Sequence, residues 1–99
     1  MAEKLIYSYE TIFVIDGNLD EEATNAVKEK FTSLISRHGS VDSVDEWGKR
    51  KLAYQINDRT EGFYVLVNFK AEGEFPKELE RRYGIDDNIL RSITIRKDA

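Results

Sequence analysis

Apolar positions along the chain follow two different periods, which predict strands and helices in turn. Residues 7–15 are mostly β-branched or aromatic and end at the sequence Asp16-Gly17-Asn18, which predicts a strand followed by a turn. Apolar residues then recur at intervals of three and four, which predicts a helix with one apolar stripe from about Asp20 to Gly39. The stripe consists of Leu19, Ala23, Val27, Phe31, Leu34 and Ile35.

The middle of the chain predicts a long β-hairpin. Residues 41–56 form a strand region whose end alternates between apolar and polar positions, as a half-buried strand does. We expect this strand to bulge or bend near Gly48. A turn over residues 57–62 then leads into a third strand over residues 63–71.

A second helix and a fourth strand complete the pattern. The helix begins at Pro76, where the missing N–H costs nothing, and ends at Gly84, and the last strand covers residues 89–96. The order β-α-β-β-α-β is that of a ferredoxin-like α+β sandwich. Since crossovers are right-handed, we expect a four-stranded antiparallel sheet in the order 4-1-3-2 with both helices on one face. We expect a single domain over residues 1–99, with a flexible N-terminus over residues 1–6.

Two of the predicted strands contain unbroken apolar runs, at residues 12–15 and 63–67, which indicates burial on both faces. Two helices can cover only one face, so the other is expected to carry an apolar interaction site. The helices are expected over Thr11, Phe13, Ile15, Phe63, Val65, Val67 and Phe69. The uncovered face is expected to carry Ile12, Val14, Tyr64, Leu66, Ile93 and Ile95, with Arg91 beside them. The alternative is that β-propensity alone favours these residues and the patch is discontinuous.

Three consecutive cations stand out against an acidic background. The formal net charge is −4, so bulk attraction cannot bring this chain to nucleic acid, and RNA binding would need a local patch or a basic partner. Lys49, Arg50 and Lys51 lead directly into the alternating strand and are therefore held by a folded element. They are candidates for an anion-binding site, and a solvated charge run at a strand end is the alternative.

The sequence offers little support for catalysis or metal binding. The chain has no cysteine, which excludes a disulfide framework and a thiolate metal site, and its one histidine, His38, falls at a predicted helix end. The start of the chain lacks the apolar core of a signal peptide, and no run approaches transmembrane length. We therefore expect a cytoplasmic protein with no catalytic residues, metal, cofactor or small-molecule substrate.

Two other proteins of this fold can be compared directly. An acylphosphatase would need a glycine-rich phosphate loop after the first strand, but residues 16–20 are acidic and poor in glycine. An RNA-recognition motif would need a basic residue at Glu61 and aromatic residues at Val65 and Asn68. Neither phosphatase activity nor base stacking on the third strand is expected.

Residues 45–57, with the sequence Asp-Glu-Trp-Gly-Lys-Arg-Lys-Leu-Ala-Tyr-Gln-Ile-Asn, form a distinctive block. Weaker matches in the same order and spacing are Tyr9-Glu10, residues 62–68, Leu79 and residues 87–92. With these, the chain resembles the bacterial small-subunit ribosomal protein six family over essentially its whole length. It departs from the family at Gln55, where proline is common.

The resemblance implies a structural protein of the ribosome that catalyses nothing. It implies binding to the central domain of small-subunit ribosomal RNA together with a basic partner, small-subunit ribosomal protein eighteen. Candidates for RNA contacts are Lys49, Arg50, Lys51 and Arg91. Candidates for the partner interface are Tyr9, Glu10, Ile12, Val14, Trp47, Tyr64, Leu66 and Ile93. The alternative is a small ferredoxin-like regulatory or homo-oligomeric module whose uncovered face self-associates or binds a metabolite.

Overall fold

The computed structural model describes residues 5–56 and 59–97. Its elements are β1 (Ile6–Asp16), α1 (Glu21–His38), β2 (Gly39–Ile56), β3 (Arg59–Glu72), α2 (Phe75–Ile85) and β4 (Ile89–Arg96). The strands form one sheet in the order β2-β3-β1-β4, and each neighbouring pair is antiparallel. The predicted ferredoxin-like sandwich and its strand order are confirmed.

The hairpin of β2 and β3 is longer than the sequence pattern predicts. The ladder continues beyond the apolar residues through the pairs Arg50–Gly62 and Lys51–Glu61, so β3 begins at Arg59 rather than at residue 63. Polar residues can extend a hairpin in this way because the backbone hydrogen bonds need no apolar side chains. The remaining part of the predicted turn, residues 57 and 58, lies outside the described residues.

The N-terminal end of the chain is described from Leu5 onward, and β1 begins at Ile6. Most of the predicted flexible segment, residues 1–4, lies outside the described residues. At the other end of β1, the turn expected at Asp16-Gly17-Asn18 is closed by a hydrogen bond of 2.9 Å from the Asn18 amide to Asp16 Oδ1.

Local signals at the start of α1 explain where this helix begins. The side chain of Asp20 accepts a hydrogen bond of 2.7 Å from the amide of Ala23, which makes Asp20 the N-cap. Glu21 and Glu22 occupy the first turn, where the helix dipole favours negative charge. The helix buries Val27, Phe31, Leu34 and Ile35 against the sheet.

The second helix packs beside the first and contributes Phe75, Leu79 and Tyr83 to the same core. The hydroxyl of Tyr83 lies 3.1 Å from Thr11 Oγ1, which in turn lies 3.0 Å from Thr94 Oγ1. Burial raises the pKa of Tyr83 well above its ordinary value, so this hydroxyl stays protonated. These hydrogen bonds satisfy the buried hydroxyl groups of Thr11 and Tyr83, and they tie β1, α2 and β4 together.

Strand alternation divides the sheet into two faces. On the helix side, Phe13, Val65, Val67 and Phe69 are completely buried, as predicted. The residues between them point to the opposite face, which no helix covers. The helices therefore leave one face of the sheet uncovered, and the candidate site lies on this face.

Candidate protein and RNA interface

Three rows of paired residues cross the uncovered face of the sheet. In the central row Ile12 pairs with Leu66 on one side and with Ile93 on the other. The flanking rows join Glu10 to Asn68 and Ile95, and Val14 to Tyr64 and Arg91. We call these nine residues the open face. The predicted orientation of the strands is confirmed, and Ile93 and Ile95 are 58% and 50% exposed.

Trp47 extends the open face onto β2. The pairing of β2 with β3 shifts between Glu46 and Gly48, and Gly48 has a φ of 84°, so the predicted bend at Gly48 is confirmed. At this bulge the indole lies parallel to the ring of Tyr64, and its Nε1 donates a hydrogen bond of 3.2 Å to Asp45 Oδ2. Trp47 therefore packs on the hairpin and bounds the apolar rows on the β2 side.

A shallow groove of about 400 Å³ lies next to the indole of Trp47 on the open face. Its lining includes Ile12, Val14, Trp47, Tyr64, Arg91 and Ile93. Five of the eight residues predicted for the partner interface thus lie around a single depression, and the predicted RNA-contacting Arg91 forms part of its rim.

Val14 belongs to the open face by register but is only 1% exposed. The cause is Gly62 on the neighbouring strand, because Val14 Cγ1 occupies the space that a Cβ at Gly62 would take. Leu52 Cδ2 lies 3.4 Å from the same point. Val14 therefore forms the floor of the groove, and the half-buried Ile12 belongs to its accessible lining. Leu66, also half-buried, pairs with Ile12 on the open face outside the groove.

Tyr9 does not lie on the open face, so its assignment to the partner surface is wrong. Its side chain is 5% exposed and stacks on Phe69 in the helix-side core, with ring centroids 5.5 Å apart. Since Glu10 faces the open side, alternation along β1 places its neighbour Tyr9 on the other.

The three cations on β2 do not form one patch. Arg50 pairs with Gly62 and faces the open side, whereas Lys49 and Lys51 pair with Phe63 and Glu61 and face the helix side. Lys49 lines a cleft beside α1 together with Lys28, and Lys28 forms an ion pair of 2.8 Å with Glu46. Arg50 therefore shares its face with Arg91, and the two lysines do not.

Other potential chemistry is sparse in the part of the chain that the structure describes. His38 stacks on Phe75, with centroids 4.9 Å apart, at the junction of the two helices. Over residues 5–56 and 59–97, no three or more His, Asp or Glu side chains are grouped so as to hold a metal ion. Within the same ranges, no helix has the length and apolar character needed to cross a membrane.

The sequence and fold match one known family. The family model described as Ribosomal protein S6 matches residues 8–96. The chain belongs to the ribosomal protein S6 family.

Individual members of this family cover nearly the whole chain. Small ribosomal subunit protein bS6 of Clostridium perfringens (strain SM101 / Type A) is 54% identical over 91 residues, which cover 91% of this chain and 96% of the relative. The same protein of Clostridium novyi (strain NT) is 52% identical over 89 residues, covering 89% and 94%. The crystal structure of 30S ribosomal protein S6 from Thermotoga maritima superposes with a TM-score of 0.88 at 32% identity, covering 95% of this chain and 90% of that one.

Membership in the S6 family makes this chain a protein of the small ribosomal subunit. It also implies a structural rather than an enzymatic role. The resemblance noted in the sequence is thereby confirmed.

Proposed function

We propose that this chain binds the central domain of small-subunit ribosomal RNA cooperatively with a basic partner, small-subunit ribosomal protein eighteen. The partner covers the central apolar row of the open face, formed by Ile12, Leu66 and Ile93, and the two proteins together present the RNA-binding surface. The chain acts in the cytoplasm as part of the ribosome, with no catalytic residue, cofactor or small-molecule substrate.

One observation carries the partner part of this proposal. The row Leu66–Ile12–Ile93 is a continuous apolar strip on a sheet face that neither helix covers. Apolar area buried there contributes about 25 cal/mol per Å², which supplies several kcal/mol of association before ordering costs. Contiguous apolar surfaces of this kind are typical of protein interaction sites.

Carboxylates beside the strip favour a basic occupant. Glu10 belongs to the open face, and Asp45 pairs with Leu66 at the outer edge of β2. Cationic side chains at the margin of a partner would meet these two groups and orient the complex. A second copy of this acidic chain would bring like charges together instead.

The charge of the chain supports cooperation in RNA binding. With a formal net charge of −4, the isolated chain repels a phosphate backbone at long range. A basic partner reverses that field and allows the local cations of this chain to reach phosphates. Binding by the pair is then expected to be much tighter than binding by this chain alone.

Light scattering coupled to size-exclusion chromatography tests the partner step. We expect the chain to elute as a monomer alone and as a one-to-one complex with the basic partner. A Leu66→Asp variant is expected to remain monomeric in both cases. A stable homodimer that excludes the partner would contradict the proposal and favour the homo-oligomeric module.

A further inference from the structure

We infer that Arg50 and Arg91 are the phosphate-binding residues of this chain and that Lys49 and Lys51 are not. The inference rests on the proposed RNA-binding function and specifies which side chains perform it. It differs from a simple interpretation of the sequence, in which all three adjacent cations contact RNA together.

Arg50 has no carboxylate directly opposite it on the neighbouring strand. Its partner across the ladder is Gly62, which has no side chain, so nothing directly opposite can neutralise it. The side chain is exposed on the open side and forms no hydrogen bond or ion pair with the described part of the chain. Its guanidinium is therefore available to an external anion.

Arg91 is in the same situation on the other edge of the sheet. It pairs with the apolar Val14, is exposed, and forms no ion pair within residues 5–56 and 59–97. It also lines the groove below Trp47 and Tyr64. The residues around it in this groove are apolar, aromatic or uncharged, so no carboxylate there compensates the guanidinium, which is available to a phosphate.

The two lysines face a surface that already contains acidic groups. Lys51 stands opposite Glu61, an arrangement in which opposite charges attract across the ladder. Lys49 shares its cleft with Glu21 and Glu46. A phosphate that approached this side would meet as many carboxylates as lysines, and the net attraction would be small.

The position of the two arginines also fits the cooperative mechanism. They stand on β2 and β4, at opposite edges of the sheet, about three strand spacings of ~4.8 Å apart. Both lie at or next to the row of Val14, beside the apolar strip of Ile12 rather than across it. A partner on the strip and an RNA strand at the arginines can therefore occupy one face side by side. Guanidinium groups suit this task because their planar fork matches a phosphate in two hydrogen bonds.

The test compares two variants that remove the same charge from different faces. Arg50→Gln with Arg91→Gln removes two open-side cations, and Lys49→Gln with Lys51→Gln removes two helix-side cations. Each variant is mixed with the basic partner and titrated with a central-domain RNA fragment across a range of salt concentrations. Thermal unfolding of each variant verifies that the fold is retained.

The arginine variant is expected to lose about tenfold or more in RNA affinity per arginine. Its slope of log K against log salt concentration is expected to fall by roughly 0.7 to 0.9 per lost contact. The lysine variant is expected to keep nearly the affinity and slope of the unaltered chain. Replacing the arginines by lysine should restore the slope but only part of the affinity, since the fork is lost.

Two results would overturn the inference while leaving the proposed function intact. One is an equal or larger loss in the lysine variant. The other is a loss in the arginine variant that calorimetry without RNA traces entirely to weaker partner association, which would make the arginines protein contacts. If the unaltered chain and its partner bind no RNA, the proposed function fails and this inference fails with it.

Discussion

The indole ring of Trp47 lies nearly parallel to the ring of Tyr64, with centroids 6.1 Å apart and planes inclined by 13°. The bulge between Glu46 and Gly48 creates this arrangement by turning the indole onto the sheet. Trp47 remains 39% exposed at the edge of the groove. Since it is the one tryptophan of the chain, its emission reports on this surface.

Partner docking is therefore expected to change the fluorescence of Trp47. Covering the open face should shift the emission to shorter wavelength and reduce quenching by acrylamide, because the indole loses contact with water. The Leu66→Asp variant, which should not dock, serves as the control and should show no change. Unchanged emission at saturating partner would mean that the partner binds elsewhere.

Adjacent residues on β3 give a matched test of the two sheet faces. Leu66 is half-buried on the open face and Val67 is completely buried under the helices. Leu66→Asp should abolish partner association with a loss of stability of about 1 kcal/mol, whereas Val67→Asp should destabilise by roughly 4 kcal/mol or more through an unpaired buried carboxylate. Urea unfolding measures both. A larger loss for Leu66→Asp would show that the faces are reversed.

Two glycines are expected to respond to alanine in opposite directions. A Cβ at Gly62 would collide with Val14 Cγ1, so Gly62→Ala should destabilise by about 1–3 kcal/mol through overpacking. A Cβ at Gly84, in α2, meets no atom within 4 Å, so Gly84→Ala should stabilise by about 0.5–1 kcal/mol. Thermal and urea unfolding compare the two variants. A neutral Gly62→Ala would contradict the close approach of Val14.

Glu78 provides a prediction about pH. Hydrogen bonds of 2.7 and 2.8 Å from Arg81 and Arg82 lower the pKa of this carboxyl from its ordinary value to about 2. Because the folded pKa is lowered, the pair stabilises α2 at neutral pH, and this contribution is lost as pH falls from the ordinary pKa towards 2. Carboxyl NMR should give a midpoint near 2 in the intact chain. Replacing both arginines by Gln should return the midpoint towards its ordinary value, and an ordinary midpoint in the intact chain would contradict the pairing.

Much of the fold and one face of the site could be predicted from the sequence. The apolar runs around Phe13 and Val65 required two buried faces, and two helices could cover only one of them. The same alternation places Tyr9 in the core and separates Arg50 from Lys49. The period-two alternation therefore predicts both assignments. Placing residues that are adjacent in sequence, such as Lys49 and Arg50, on one surface disregards it.

Other features depend on contacts between distant residues. Val14 is buried because Gly62, on another strand, lacks a side chain. Trp47 lies on Tyr64 because of a bulge whose position is set by the pairing of β2 with β3. The hydrophobic period along the chain cannot predict either contact, because each contact depends on the register in which two strands pair.

The most direct test of the account is the affinity for a central-domain ribosomal RNA fragment, measured with and without the basic partner across a salt titration. We predict weak binding by this chain alone and much tighter, salt-dependent binding when the partner is present. Equally tight binding in both conditions would contradict cooperation with the partner. Absence of binding in both would contradict the proposed RNA-binding function while leaving the fold and family membership unchanged.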